Sequence, residues 1–252
     1  MVTTHFIGRL GNSMFQTAAC IGYAKKYGHQ WGVPNDQRES TILTHFPKLP
    51  RCNDRPRRYL EHQPGHDNDW FNYHEIPNQG PDVTLFGFYQ SWKYFENAED
   101  EVKQVFKLDR HNEYNDKVSI HVRRGDYVQH SGSFPPVDMG YLIQAMSHFP
   151  DRKFVVFSDD LDWCRINLGS GSNVEYCDER NEFNALSKMA SCHDHIIANS
   201  TFSYWAAYLG WNHFRKVITP SCELGQWFGM ESGVKQNCID LIPPSWTQIK
   251  WR

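Results

Sequence analysis

The chain has 252 residues, of which 40% are hydrophobic and 15% aromatic, a length and composition that suit one large domain or two small ones. Its formal net charge of −3 disfavours a nucleic-acid-binding protein, because such proteins usually carry an excess of basic residues. The seven cysteines are scattered without a CxxC pair, which disfavours a disulfide framework and a zinc site.

The sequence begins with a predicted strand at His5–Gly8 and contains no signal for secretion or membrane insertion. No charged segment followed by an apolar one marks a signal peptide, and no run reaches the roughly 18 apolar residues of a membrane-spanning helix. We therefore expect a cytoplasmic protein without an integral membrane segment, a location that leaves room for peripheral association with a membrane.

A glycine-containing loop and a helix follow this strand. We expect the loop at Gly8 and Gly11, a helix cap at Asn12 or Ser13, and the end of the helix at Gly28. A strand, a glycine loop and a helix can bind an anion at the helix N-terminus, although an ordinary tight turn explains the same pattern equally well.

Residues 29–81 are rich in proline, asparagine, aspartate, arginine and histidine and show little periodicity. We expect an irregular segment that carries specificity, as loops on a rigid scaffold often do. Its histidines and carboxylates fit no known ligand spacing, so a metal site is disfavoured there: His62, His66, Asp67, Asp69, His74 and Glu75. The aromatic residues Trp70, Phe71 and Tyr73 suit either a sugar site or a small core.

Two regular elements precede the expected domain boundary. Val83–Trp92 predicts an aromatic strand, and Lys93–Leu108 predicts a helix with an acidic exposed face. The polar segment after them divides the chain into an N-terminal half, residues 1–115, and a C-terminal half, residues 116–252.

The segment from Lys117 to Tyr127 predicts a buried strand that ends in a charged tip, which consists of His121, Arg123, Arg124, Gly125 and Asp126. Adjacent arginines need an anion, because an unpaired charge is costly away from water and Asp126 offsets only one of them. Since a planar guanidinium suits phosphate, we expect a pyrophosphate site at the carboxyl end of this strand. A surface ion pair at a strand end is the alternative.

Short strands alternate with helices from residue 141 onward. The predicted helices are Tyr141–Phe149, Leu161–Leu168, Phe183–Cys192 and Phe202–Leu209, and the predicted strands are Lys153–Phe157, Val174–Cys177, His195–Ala198 and Lys216–Thr219. This alternation predicts a parallel sheet with helices on both faces, in which ligands bind beyond the carboxyl ends of the strands. Polar clusters follow three of the strands: the charged tip; Ser158, Asp159 and Asp160; and Asn199, Ser200, Thr201 and Ser203.

The second and third clusters each allow more than one interpretation. Asp159 and Asp160 suit a metal ion, a ribose hydroxyl or the cap of the following helix. The cluster that begins at Asn199 suits either a phosphate at free helix N–H groups or ordinary N-capping.

Four motifs, in this order along the chain, resemble glycosyltransferase family 11, the α-1,2-fucosyltransferases: FIGRLGNSMFQTA, LFGFYQSWKYF, HVRRGDY and IIANSTFSYWAAYLG. They extend from residue 6 to residue 210, so the resemblance covers most of the chain. It implies a GT-B-like α/β fold with two Rossmann-like halves facing a cleft. The C-terminal half is then expected to bind the nucleotide sugar, and the N-terminal half to lie on the acceptor side.

The resemblance also implies a reaction. The expected activity is an inverting, metal-independent transfer of L-fucose from GDP-β-L-fucose to the 2-hydroxyl of a terminal galactoside. Its expected partners are the GDP-fucose donor and a galactose-terminated glycan acceptor, with no cofactor and no nucleic acid.

Roles for individual residues follow from the same resemblance. Arg123 is expected to grip the donor phosphates and His121 to lie near the nucleotide. Ser200, Thr201 and Ser203 are expected to contact phosphate or support the site. The rest of the expected donor-binding set is Arg124, Ser158, Asp159 and Asn199, and the N-terminal motif is matched by Gly8, Gly11, Asn12 and Gln16.

The residue types agree with chemistry that needs no metal, because arginines and helix N-termini can stabilise a departing diphosphate. Asp126 is the candidate base for the acceptor proton, and a structural partnership with Arg124 is its alternative role. Two other functions stay open: an enzyme similar to the protein O-fucosyltransferases, and an inactive module that binds a sugar nucleotide.

Overall fold

The computed structural model describes residues 1–35, 40–53, 57–61, 71–169, 171–223, 225–233 and 238–251. The chain forms two compact units. The first unit consists of Met1–Lys107 and Cys238–Pro243, and the second of Leu108–Asn237 and Pro244–Arg252. No helix in the described ranges combines the length and apolar character needed to cross a membrane.

The first unit contains short parallel strands around one long helix. Its elements are β1 (Thr3–Thr4), α1 (Leu10–Tyr27), β2 (Val33–Pro34), α2 (Ile42–His45), β3 (Arg51–Cys52), β4 (Arg57–Leu60), β5 (Val83–Phe86), two 3-10 turns (Trp92–Tyr94 and Glu96–Ala98) and α3 (Glu99–Val105). One parallel sheet has the strand order β1-β5-β4, and β2 pairs with β3 in a second parallel sheet.

Helix α1 confirms the predicted helix and its end. Gly28 has φ of 70°, the left-handed conformation that glycine adopts without strain at a helix end. The predicted cap was wrong, because the helix begins at Leu10 and Asn12 and Ser13 lie inside its first turns. Leu10 is buried, and this apolar anchor draws the start of the helix toward the core.

Other predictions for the first unit need correction. The predicted strand at Val83–Trp92 ends at Phe86, and the region predicted as one helix at Lys93–Leu108 becomes the 3-10 turns and α3. Residues 29–81 are less irregular than expected, since β4 pairs along the whole length of β5.

The second unit contains one large parallel sheet. Its elements are a 3-10 turn (Asn112–Tyr114), β6 (Val118–Val122), α4 (Gly125–Gln129), α5 (Met139–Met146), β7 (Phe154–Ser158), α6 (Leu161–Leu168), β8 (Val174–Tyr176), α7 (Glu182–Ala190), β9 (Asp194–Ile196), α8 (Thr201–Tyr208), β10 (Val217–Pro220) and β11 (Thr247–Ile249). The strand order is β11-β10-β9-β6-β7-β8. The predicted alternation of strands and helices is confirmed, whereas α4 and β11 were not predicted.

All five residues of β6 are buried. Ile120 in its centre belongs to a core that includes Val156 of β7, Ile196 of β9 and Tyr141 of α5. Burial on both faces is typical of a parallel strand covered by helices on each side, so polar residues of this unit concentrate where the strands end.

The observed division of the chain differs from the expected boundary after residue 115. Leu108 is buried and the backbone N–H of His111 donates to the Ser191 hydroxyl, so these residues belong to the second unit. Near the other end of the chain, Asp240 returns to the first unit, where its carboxylate pairs with Lys93.

Candidate functional site

The centre of the six-stranded sheet is a topological switch point. From β6 the chain adds β7 and β8 on one side, and it then returns to place β9, β10 and β11 on the other. The connections that leave β6 and β9 therefore run in opposite directions and open a crevice at the carboxyl ends of these strands, where sheets of this order bind ligands. The predicted polar clusters follow β6, β9 and β7, the other neighbour of β6.

Arg123 lies directly after β6 and forms two ion pairs. Its guanidinium nitrogens are 2.5 Å from Asp126 Oδ1 and 2.7 Å from Asp159 Oδ2. The guanidinium carbon lies 5.5 Å from the centroid of the Tyr127 ring. The side chain is 19% exposed, so an anion that reaches Arg123 must compete with two carboxylates already in place.

Arg124 has a different environment. Its Nε donates to Asp160 Oδ2 over 3.0 Å, and its guanidinium carbon lies 4.1 Å from the centroid of Trp163. Its backbone N–H donates to Asp159 Oδ1 over 2.8 Å, so one carboxylate contacts both arginines. A Cβ on Gly125 would lie 2.5 Å from Asp159 Oδ2, which explains why glycine suits this position.

These contacts correct two expectations. The alternative role of Asp126 as the partner of Arg124 is wrong, because Asp126 pairs with Arg123. The arginines also do not wait unpaired for an anion, since three carboxylates surround the two of them. Two of the carboxylates, Asp159 and Asp160, come from the end of β7, and the sequence does not show that they lie beside the tip of β6.

Two residues of the cluster after β7 also form hydrogen bonds within the turn that connects β7 to α6. Asp160 Oδ1 accepts the backbone N–H of Trp163 over 3.1 Å, which confirms the helix-capping interpretation for this residue. The half-buried Ser158 hydroxyl accepts the N–H of Asp160 over 2.9 Å. Asp159, in contrast, directs its carboxylate toward the arginines.

His121 is a buried, neutral member of the site. Its pKa is lowered to about 4, mainly by burial; the Asp159 charge opposes this shift and the Arg123 charge adds to it. Within the described part of the chain, its Nδ1 has no hydrogen-bond partner, and its ring centroid lies 5.7 Å from that of Phe202. Near pH 7 the positive charge of this site therefore comes from the arginines.

Asn199 joins segments that surround the carboxyl end of β9. Its side-chain amide nitrogen donates to the carbonyl oxygens of Pro135 and Trp227 over 3.0 and 2.9 Å. Its backbone carbonyl accepts the Tyr127 hydroxyl over 3.1 Å. The residue is 2% exposed, so its observed contacts are those of a residue that positions these segments.

The start of α8 departs in part from expectation. Ser200 occupies the N-cap position without a side-chain capping bond, so the N-capping interpretation is wrong for this residue. Thr201, the first residue of the helix, is partly exposed. The Ser203 hydroxyl is fully buried and donates to the carbonyls of Ala198 and Ser200 over 3.4 and 3.3 Å. These hydrogen bonds agree with the supporting role of Ser203, and its direct contact with phosphate stays a prediction.

The N-terminal motif forms a separate cluster in the first unit. Gly8 has φ of 83°, and a Cβ there would lie 2.2 Å from Asn12 Nδ2. The Asn12 Oδ1 accepts from Gln90 Nε2 over 3.0 Å. The expectation of a loop is wrong for Gly11, which belongs to α1 together with Asn12 and Gln16.

Gln16 is fully buried and holds two backbone segments together. Its Nε2 donates to the carbonyls of Ile7 and Gly87 over 3.3 and 3.0 Å, and its Oε1 accepts the N–H of Ile7 over 3.2 Å. The motif therefore ties the β1–α1 loop to the segment after β5.

Sequence reasoning missed two residues with a clear structural part. Trp163 stacks on Arg124, and Glu61 follows β4 at the same edge of its sheet as the segment after β5. The Glu61 oxygens accept the N–H groups of Phe88 and Tyr89 over 2.7 and 3.0 Å. Burial raises the Glu61 pKa to about 8, although both hydrogen bonds lower it. The burial of Glu61 could not be predicted, because the polar segment around it has no regular pattern of apolar residues.

No group of three His, Cys, Asp or Glu side chains in the described ranges is arranged to hold a metal ion. Four of the residues named in the disfavoured metal site lie outside these ranges: His62, His66, Asp67 and Asp69. Metal independence therefore stays a prediction.

Comparison with known proteins gives similarity along nearly the whole chain. The model of glycosyl transferase family 11 matches residues 1–237. The galactoside 2-alpha-L-fucosyltransferase SEC1 of Bos taurus is 30% identical, over 91% of this chain and 73% of the relative. The galactoside alpha-(1,2)-fucosyltransferase 2 of Bos taurus is 34% identical, over 91% of this chain and 79% of the relative.

A solved structure supports the fold alone. The crystal structure of the NodZ alpha-1,6-fucosyltransferase soaked with GDP-fucose aligns with a TM-score of 0.51 at 12% sequence identity. The alignment covers 82% of this chain and 92% of that chain. Together with the parallel sheets, this similarity confirms the expected GT-B-like α/β class.

Proposed function

The chain belongs to glycosyltransferase family 11, and we propose on this basis that it is an inverting galactoside α-1,2-fucosyltransferase that uses GDP-fucose. The observation that carries the proposal is the arginine pair at the switch point of the second unit. A diphosphate needs concentrated positive charge, and Arg123 and Arg124 supply it where sheets of this order bind nucleotides.

On binding, the donor phosphates would replace carboxylate partners of Arg123. Arg123 is shared between Asp126 and Asp159, and a diphosphate offers it several oxygen acceptors with a larger negative charge. Arg124 is held by one ion pair, to Asp160, and by the Trp163 indole that covers its guanidinium. The partly exposed Thr201 begins α8, whose N–H groups add positive potential at the same edge of the sheet.

In the proposed reaction the 2-hydroxyl oxygen of the galactoside attacks the anomeric carbon of fucose from the face opposite GDP. The bond from that carbon to the β-phosphate oxygen breaks, and GDP leaves with the electron pair. Attack from the opposite face converts the β-linked donor into an α-linked product. The arginines stabilise the charge that develops on the departing phosphate.

The hydroxyl proton needs an acceptor, and Asp126 is the carboxylate we assign to this step. Its side chain is 44% exposed although it is paired with Arg123, so a bound substrate can reach it. The fucosyl transition state has oxocarbenium character, for which a weak base is sufficient.

The direct test is an assay of the full chain with GDP-fucose and methyl β-D-galactoside. We expect a product that gains one fucose by mass spectrometry and shows an α-1,2 linkage by NMR. The matched control is the 2-deoxy analogue of the acceptor, which should not react. Fucosylation of the 2-deoxy sugar would contradict the linkage, and tight GDP binding without transfer to any galactoside would indicate an inactive binding module.

A further inference from the structure

A pocket lies in the first unit beside the C-terminal part of α1. It has a volume of about 310 Å³, at the lower end of the range for pockets that hold small molecules, and Gly22, Lys26, Tyr73, Lys93 and Glu96 are among its lining residues. Gly22 and Lys26 lie 12 or more residues beyond Leu10 in α1, which is about 18 Å or more along the helix axis. The pocket therefore lies beside the C-terminal part of α1, beyond Gln16 along the helix.

The floor of the pocket is rigidly built. A Cβ on Gly22 would lie 2.0 Å from the carbonyl oxygen of Tyr94, so only glycine lets the 3-10 turns approach α1 this closely. The side-chain amide of Asn97 donates to the Gly22 carbonyl over 3.0 Å and holds the same contact. These two contacts form the floor of the pocket.

The aromatic wall is also held in place. The ring centroids of Tyr73 and Tyr94 are 4.9 Å apart with an interplanar angle of 58°. The Tyr73 N–H donates to Asp240 Oδ2 over 3.0 Å, and the Tyr94 hydroxyl accepts the N–H of His74 over 3.2 Å. Tyr94 is buried beneath, whereas Tyr73 is half-buried and leaves part of its ring for a ligand.

The charges around this wall favour a neutral ligand. Lys26 pairs with Glu75 over 2.6 Å and Lys93 pairs with Asp240 over 2.5 Å, while Glu96 is exposed at the rim. Among the described residues that line the pocket or pair with its lysines, carboxylates outnumber lysines three to two. The described lining residues include no arginine, whose planar guanidinium suits phosphate, and both lysines already have carboxylate partners. A phosphate is therefore disfavoured, and a purely apolar ligand would strip water from the charged groups without replacing their hydrogen bonds.

We propose that this pocket is a carbohydrate-binding site for a neutral hexose, either free or at the end of a glycan. A hexose has an apolar face of C–H groups that fits the exposed part of the Tyr73 ring. Its hydroxyls both donate and accept, which matches the mixture of lysine, amide and carboxylate groups at the rim. The site goes beyond the proposed transfer reaction and does not depend on it.

The test is photolabelling of the full chain without GDP-fucose. The probes are methyl β-D-galactoside and methyl β-D-glucoside, each carrying a diazirine, and mass spectrometry locates the labelled peptides. We expect labelling of the peptides that carry Tyr73 and Glu96, with loss of the label when excess unmodified sugar competes. Labelling confined to other parts of the chain would overturn the proposal.

Variants make the test specific. Tyr73→Ala should weaken labelling by about fivefold, the loss expected for one aromatic contact, and Glu96→Gln should weaken it while leaving the exposed surface otherwise unchanged. Tyr114→Ala, which removes a half-buried tyrosine of the second unit, is the matched control and should label like the wild type. Wild-type labelling in both pocket variants would contradict the proposal.

A transfer assay on the same samples separates the two conclusions. Fucosyl transfer without labelling of this pocket would overturn the carbohydrate site and leave the proposed function intact. Labelling without transfer to any galactoside would leave the site intact and contradict the proposed function.

Discussion

Among single residues, Arg123 connects the observed ion pairs to the proposed chemistry. Its guanidinium is shared by Asp126 and Asp159, which keep it at the carboxyl end of β6 and neutralise it when no donor is bound. A diphosphate must replace at least part of this pairing. The same residue is thus expected to govern both donor affinity and stabilisation of the leaving group.

Replacement of Arg123 by alanine should lower kcat by roughly 10² to 10³-fold, as does the loss of a group that stabilises developing negative charge. The fold should survive, because the residue lies after the strand and outside the buried core. Arg165→Ala is the control, since Arg165 is an ion-paired arginine of the same unit on the exposed face of α6. Steady-state kinetics and thermal melting should be measured together; a near-normal kcat in folded Arg123→Ala enzyme would remove the assignment.

The Asp126→Asn variant distinguishes two roles of Asp126: competition with the donor phosphates for Arg123, and acceptance of the proton from the acceptor hydroxyl. Removal of this charge should tighten GDP binding by up to about fivefold, the contribution of one exposed ion pair, because a competitor for Arg123 is lost. It should also lower kcat by roughly 10² to 10⁴-fold if Asp126 accepts the acceptor proton. Calorimetry and kinetics measure the two effects.

Asp162→Asn, which alters an exposed carboxylate paired with Arg165, is the control for the Asp126 variant and should change neither quantity. Weaker GDP binding by Asp126→Asn would show that Asp126 does not compete with the donor phosphates for Arg123. An unchanged kcat would exclude Asp126 as the base.

Among the strands and helices, the segment after β5 shows how side chains can replace strand pairing. The carbonyl of Gly87 accepts from Gln16, and the N–H groups of Phe88 and Tyr89 donate to Glu61. Because these backbone groups are satisfied by side chains, the strand predicted up to Trp92 stops at Phe86. Tyr89 is held at φ of 50°, a conformation that few residues other than glycine adopt without support.

Glu61→Gln should remove a specific pH dependence of stability. Burial raises the folded-state pKa of Glu61 from 4.5 to about 8, so the folded chain binds this proton more tightly than the unfolded chain. The resulting stabilisation is complete below pH 4.5 and is lost as pH rises toward 8, at a limiting slope of about 1.4 kcal/mol per pH unit.

Urea unfolding of the wild type and Glu61→Gln at several pH values between 5 and 9 would measure this effect on the free energy of unfolding. The difference between the two proteins should shift in favour of the variant as pH rises. Glu99→Gln, which alters an exposed glutamate in α3, is the control and should show no such trend. A difference that stays constant with pH would contradict the assignment.

In the molecule as a whole, the first unit has two parallel sheets and the second unit has one, and each unit has its own polar cluster at strand ends. In the second unit the arginines and the α8 N-terminus offer the positive charge that a diphosphate requires. We therefore propose that catalysis needs no divalent cation.

Removal of metal ions tests this proposal on the intact enzyme. Activity with GDP-fucose and a galactoside should stay within about twofold after treatment with EDTA, because the positive charge is covalently part of the protein. The control is the same sample with added Mg²⁺ or Mn²⁺, which should give no increase. A loss of activity that either ion restores would instead indicate that Asp159 or Asp160 is a metal ligand.

Patterns along the chain were sufficient to predict most elements of the second unit, although not α4 and β11, and also the end of α1 in the first unit. Alternating apolar residues identify β6, and Gly28 marks the end of α1, because both signals arise from neighbours a few residues apart. The polar tips of three strands predicted a site at their carboxyl ends, since all parallel strands end at the same edge of a sheet.

The partners of the arginines were decided only by the tertiary structure. Asp159 reaches Arg123, and Trp163 covers Arg124, although these residues follow different strands. Glu61 likewise meets Phe88 only because β4 pairs with β5. Ion pairs and hydrogen bonds require two atoms within about 4 Å of each other. Long connections between parallel strands bring residues that are far apart in sequence to this distance, and the spacing of these residues along the chain gives no sign of the contact.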